Sequence, residues 1–299
     1  MRQSFWILAA TFCTVLTYVF VKAAPEEYWF GEIFFVRSVF LLASSLALLR
    51  IAQIRPRTRL GRWQALRCLM GTGALLINIV TVQNLPVATA QTLAYTSPLF
   101  VALLVVGKNL AAGKRVNWPL SLSTVFGFAG ICLVIRPMHA VAGAAVEFDT
   151  VYALLALVSA LCAACAALLL RHLGRNGEPT LVTMFYFSLG CLITAAFLCL
   201  LFGTHNLLEL FSEPALLMVG LCTVGAQLAQ THGWGRGKTL LCANLQFSAI
   251  VFSTALGWLF FDETFDWITY AGIALILTTE IASTTLQLRT NRRNDPISR

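Results

Sequence analysis

Charge is the scarcest commodity in this 299-residue chain: only 11% of residues are Asp, Glu, Lys or Arg, against 58% hydrophobic. A soluble domain carries about 25% charged residues. So little charge cannot wet the surface of a soluble fold of this size, and the surplus apolar area calls for a bilayer. Also missing are the signatures of several enzyme classes. There is no GxxxxGK[ST] loop to cradle ATP phosphates, no HExxH metal pair and no GxSxG nucleophile elbow. The four histidines, His139, His172, His205 and His232, fall at helix ends and in loops without metal-ligand spacing. No cofactor is expected. The N-terminal apolar run lacks a small-residue cleavage site and reads as a first helix rather than a signal peptide.

What is present is apolar sequence in long runs. A spanning helix needs about 20 mostly apolar residues, and ten segments qualify: 4–22, 30–49, 63–83, 86–106, 118–135, 150–171, 181–202, 214–231, 239–261 and 267–288. Stop and turn signals separate them, among them Pro25, Pro56, Pro86, Gly113, Pro137, Pro179, Pro214 and Gly237. The nine cysteines all sit inside these runs, including the Cys162-x-x-Cys165 pair. They read as small packing residues, not as a disulfide framework.

The loop charges orient the helices. Alternate aqueous segments, starting with the N-terminus, hold or border 18 of the 21 Lys and Arg, including Arg50, Arg55, Arg57, Arg59, Arg62 and Arg67. The opposite loops hold nine of the 13 acids, including Glu26, Glu27, Glu209, Asp262, Glu263 and Asp266. Positive loops stay cytoplasmic, which places both termini inside. The net charge of +8 therefore faces anionic membrane lipid, and no nucleic-acid partner is expected.

The chain also repeats itself. Ala90-x-Thr92-Leu93-x-Tyr95-Thr96-x-x-x-Phe100 aligns with Cys242-x-Asn244-Leu245-x-Phe247-Ser248-x-x-x-Phe252, and Phe128-Ala-Gly-Ile with Tyr270-Ala-Gly-Ile. Five helices per copy make the second copy enter the membrane from the other side. The basic loop with Lys108, Lys114 and Arg115 has an acidic counterpart with Asp262, Glu263 and Asp266, as an inverted pair requires. The expected fold is thus an all-α integral membrane protein of ten transmembrane helices in two inverted five-helix repeats, residues 1–140 and 141–299. Inverted repeats are a common plan of secondary transporters.

Leu85-Pro86-x-Ala88-x-Ala90 with Tyr95-Thr96-Ser97-Pro98-Leu99-Phe100, Gly127-x-x-Gly130 with Ile135-Arg136-Pro137, and Gly257-Trp258-Leu259-Phe260-Phe261-Asp262-Glu263 resemble the EamA-type members of the drug/metabolite transporter superfamily. The resemblance covers both halves. It implies ten helices, a central cavity and alternating access of a small metabolite. The first half departs from the pattern, with Gly107-Lys108-Asn109 where the second has Phe261-Asp262-Glu263.

Two groups of residues are candidates for function. Ionisable residues inside a membrane are costly, which singles out Glu32, Arg37 and Glu280. Glu32 and Arg37 lie about 140° apart on one helix, short of an ideal pair. They read either as an interfacial acid and a snorkelling or structurally paired arginine, or as a charged cavity wall. Glu280, with Ser283 and Thr284 on its face, reads as helix–helix glue or as a proton-coupling carboxylate. Polar and aromatic residues near mid-depth form the second group: Tyr95, Asn244, Gln91, Gln246, Asn78, Gln227 and Tyr18, each a substrate-cavity candidate or packing glue. Tyr95 and Asn244 lead because they come from repeat-related helices. The resulting expectation is a secondary transporter of a small organic metabolite, an amino acid, vitamin or related compound, in a bacterial-type inner membrane, with a proton or another ion as possible coupling partner. The rivals are an integral membrane enzyme acting on lipid, for which no catalytic constellation is visible, and a non-transporting scaffold or sensor, for which no output domain is visible.

Overall fold

The computed structural model describes residues 3–25, 27–84, 93–113, 118–135, 150–204, 207–261 and 267–293. Among these, every regular element is a helix: α1 Trp6–Ala23, α2 Phe30–Ile51, α3 Gly61–Asn84, α4 Ser97–Ala111, α5 Trp118–Ile135, α6 Thr150–Arg175, α7 Thr180–Phe202, α8 Leu207–Ser212, α9 Pro214–Arg236, α10 Thr239–Leu245, α11 Ser248–Phe261 and α12 Trp267–Arg293. Among the described residues, five stretches are long and apolar enough to cross a membrane: Phe30–Ile51, Val151–Arg175, Thr180–Phe202, Pro214–Arg236 and Thr239–Phe260. Three shorter apolar helices accompany them, Trp6–Val21, Ser97–Ala111 and Trp118–Val134. The protein is a multi-pass helical membrane protein.

The helices gather into two compact units. The first comprises Met1–Phe5, Gly73–Leu168 and Gly237–Arg299; the second comprises Trp6–Thr72 and Leu169–Arg236. Each unit draws on both halves of the sequence, and the division falls inside α3 and α6.

In the first unit the main packing is α5 against α12. These are the helices that carry the Phe-Ala-Gly and Tyr-Ala-Gly repeat, and the two repeat-related glycines meet. A Cβ on Gly272 would lie 2.8 Å from the Gly130 carbonyl oxygen, and one on Gly130 would lie 2.7 Å from Ile276 Cγ1. Only glycine lets the two backbones approach this closely, the usual device of helix pairs in a bilayer. Ile131, Ile276, Phe247 and Ile250 form the core around this contact, with Tyr95 packed against them.

In the second unit α1 lies along α9, and α2 packs on α7 and α9. Its core is Ile33, Val36, Leu210, Leu216 and Val219. Leu210 comes from α8, a short helix that hydropathy alone does not reveal because it is less than two turns long. The start of α2 is fixed by Glu32, whose Oε2 accepts the Trp29 backbone N–H at 3.2 Å. The acid satisfies an orphan amide and complements the positive helix end.

One expected span differs in detail. Residues 239–261 read as one continuous helix in the sequence, but a two-residue turn at Gln246–Phe247 splits them into α10 and α11. Gln246 N–H donates to Ala243 O, Phe247 N–H to Asn244 O, and Ala249 N–H to Gln246 O. This i→i−3 pattern is a 3₁₀ tightening. A matching break stands at Tyr95–Thr96, just before α4. There Pro98 explains it, because proline has no N–H to return to residue 94.

Candidate functional site

The repeat-related breaks organise the first unit's polar residues. Without a proline, α10–α11 must dispose of the amides released by the turn. The Ser248 backbone N–H is taken by the Glu280 carboxyl from α12, and Ser248 Oγ donates to Leu245 O at 2.7 Å. Glu280 is 8% exposed, and its Oε1 has no hydrogen-bond partner. The helices packed on α12 are α5, α10 and α11, and none contains a Lys, Arg, His, Asp or Glu. Glu280 is therefore a buried acid in contact with a helix break and facing no charged group from those neighbours.

Asn244 sits two residues before the same break and is 2% exposed. Its Oδ1 accepts from Thr124 Oγ1 at 2.5 Å, and its Nδ2 donates to Ser123 Oγ at 2.6 Å. Both ends of the amide thus tie α10 to α5. Gln246 lies half-buried in the turn itself. Tyr95 joins the core beside Phe247, its counterpart in the repeat. Asn78 is half-buried on the part of α3 that belongs to this unit. Gln91 lies outside the described residues, as do the 85–90 and 262–266 segments of the family pattern.

The remaining residues singled out from the sequence fall in the second unit and do not converge. Tyr18 is 63% exposed on α1. Gln227 is buried but donates to Thr231 Oγ1 at 3.1 Å within its own helix. Glu32 is the buried helix cap described above. Arg37 is half-buried, its guanidinium 5.6 Å from the Phe34 ring centroid and its Nε unpartnered. No ion pair joins it to Glu32, in keeping with their poor spacing.

The residue that sequence reasoning missed is Arg67. Its place in the chain assigns it to the basic loop border, yet it is only 4% exposed. Its guanidinium stacks on Phe187 of α7, 3.4 Å from the ring centroid. Nε and Nη1 have no hydrogen-bond partner. Cys191 lies within electrostatic range of both Arg67 and Arg37, and Cys68 within range of Arg67. One turn earlier, buried Gln64 donates to Glu178 Oε1 and Thr183 Oγ1 at 3.3 and 3.2 Å, leaving its Oε1 unpartnered. The signal available in the sequence was the six-residue gap between Arg67 and its nearest helix boundary at Gly61.

A cavity of about 300 Å³ also opens in the second unit, lined by Trp6, Ile54, Pro179, Leu228, His232 and Arg236 among others. It includes none of the residues above.

The pattern of the EamA-like transporter family matches residues 1–136 and again 150–282. The chain belongs to the EamA-like transporter family. It is 25% identical over 273 residues to the pseudopaline exporter CntI of Pseudomonas aeruginosa, covering 91% of this chain and 92% of that protein. It is 23% identical over 225 residues to human solute carrier family 35 member G1, covering 73% of this chain and 60% of that protein. A solved crystal structure superposes with a TM-score of 0.78 at 19% identity, covering 96% of this chain and 99% of the other. That likeness speaks for the fold alone.

Proposed function

We propose that this EamA-like protein is a secondary transporter of a small organic metabolite in a bacterial-type inner membrane, and not an enzyme. Membrane transport of a small molecule is the common property of the family and of its named relatives. In the finer reading, ten spanning helices form two inverted five-helix repeats, 1–140 and 141–299, with both termini cytoplasmic. The repeats alternate access to a central cavity.

The single observation that carries this reading is the pair of helix breaks at Tyr95–Thr96 and Gln246–Phe247, which fall within one residue of each other in the repeat. Transporters built from inverted repeats place substrate and ion sites at such discontinuous helices. Tyr95, Asn244 and Gln246 are the substrate-path residues on this view, Asn244 also bracing α10 against α5.

Glu280 is the coupling residue in the same reading. Its carboxyl holds the amide freed by the second break, so its protonation state acts on the element expected to move. Glu280→Gln keeps an oxygen for the Ser248 N–H and removes the titration. The variant is expected to fold and insert normally but to lose the dependence of uptake on a pH gradient, measured in proteoliposomes. Unchanged gradient dependence would remove the proton from the mechanism.

A further inference from the structure

We infer that the second unit holds a binding site for an organic carboxylate, anchored by Arg67 and flanked by Arg37, where α2, the first turns of α3 and α7 come together. It deepens the transport reading and rests on that reading for its purpose, but not for its chemistry.

Arginine stays charged in a protein interior. Stacking on Phe187 covers one face of the Arg67 guanidinium and leaves its in-plane N–H groups to find acceptors. Nε and Nη1 find none, and the ionisable groups within its range are the thiols of Cys68 and Cys191. Glu178, the acid near this end of the unit, is engaged with Gln64. A second guanidinium, Arg37, lies within electrostatic range of Cys191 and also leaves its Nε unpartnered. A buried cation, Arg67, and a half-buried one, Arg37, both within electrostatic range of one mid-helix cysteine and with no carboxylate paired to either among the described residues, are an unbalanced charge. A buried charge persists when it is paired, and here an anionic ligand supplies the partner.

The surroundings select the kind of anion. The guanidinium fork matches a carboxylate. Phosphate sites draw on backbone amides at a helix N-terminus, and Arg67 lies in the second turn of α3 instead. The Phe34 and Phe187 rings beside the two cations suit an organic skeleton. The free Gln64 Oε1 adds an acceptor for a ligand hydroxyl or N–H.

Ligand-dependent thermal unfolding of the purified full-length protein in detergent tests the site, because binding to the native state raises the midpoint. The probes are benzoate, succinate and glutarate, with benzamide and succinamide as uncharged matches and inorganic phosphate and phosphatidylglycerol as other anion sources. At least one carboxylate is expected to raise the midpoint where its amide does not. Arg67→Gln is expected to weaken that ligand about tenfold or more, and Arg37→Gln to weaken it less. Should Arg67→Gln not accumulate, Arg67→Lys keeps the charge, loses the fork and is expected to bind more weakly. Carboxylates that act no better than their amides, a response to phosphate or phosphatidylglycerol alone, or full affinity in the arginine variants would each overturn the inference. Uptake assays keep the two proposals apart. A carboxylate that binds through Arg67 but is not moved would count against transport and leave the site standing. Transport of another metabolite with no carboxylate binding would do the reverse.

Discussion

In the first unit the buried ionisable group is an acid, Glu280, facing no charged side chain on α5, α10 or α11. In the second, the buried cation is Arg67, with Arg37 half-buried nearby. The contrast extends to the polar residues around them. The Asn244 amide in the first unit is bonded at both ends by Ser123 and Thr124. In the second unit, unpartnered buried atoms accumulate on Arg37, Gln64 and Arg67, and on Thr223 and Trp234. Buried polar groups are ordinarily satisfied, so the first unit reads as a braced frame with one titratable acid at a helix break. The second holds unpartnered polar atoms in its interior, those of the Arg67 guanidinium among them.

The largest effect is expected where the backbones of α5 and α12 meet. Gly272→Val places a branched side chain where a Cβ already meets the Gly130 carbonyl oxygen at 2.8 Å. The expected cost is about 2–3 kcal/mol or more, seen as a lower unfolding midpoint and loss of the monodisperse species in detergent. A normal midpoint would mean that α5 and α12 do not pack glycine on glycine.

Asn244→Ala comes next. It removes two directed hydrogen bonds between α10 and α5 and leaves the Ser123 and Thr124 hydroxyls only their bonds to Leu120 O, for an expected loss of about 1–3 kcal/mol. Transport should fall in the protein that remains folded. The equivalent truncation in the second unit should behave differently, and Arg67→Met sharpens the contrast. Removing one partner of a buried ion pair costs about 3–5 kcal/mol. Because Arg67 has no such partner among the described residues, the ligand-free variant should match the wild type within about 1 kcal/mol, or exceed it, while losing carboxylate binding. Denaturation of ligand-free protein decides: a drop of the size expected for a broken ion pair would make Arg67 structural.

Much of this was legible in the sequence. Hydropathy marked the apolar helices, and five of the described stretches are long and apolar enough to cross a membrane, because a long apolar run leaves the chain few alternatives. The Phe-Ala-Gly and Tyr-Ala-Gly repeat marked the two helices whose glycines meet. Other features turned on contacts that no periodicity encodes. The break at Gln246–Phe247 has no proline to announce it, and depends on Glu280, more than thirty residues away, accepting a released amide. Arg67 looked like one more cytoplasmic cation, since loop counting weighs charge and ignores which side of a helix faces protein. Glu32 and Arg37 read as equals, yet one caps its own helix and the other lies beside Phe34 with an unpartnered nitrogen.

The decisive measurement is uptake by purified wild-type protein in proteoliposomes, run with isotope-labelled amino acids, vitamins, nucleosides and small carboxylates. A transporter of small metabolites gives saturable, time-dependent accumulation of at least one of these compounds above protein-free vesicles. Accumulation no greater than in protein-free vesicles for every compound would refute transport as its function.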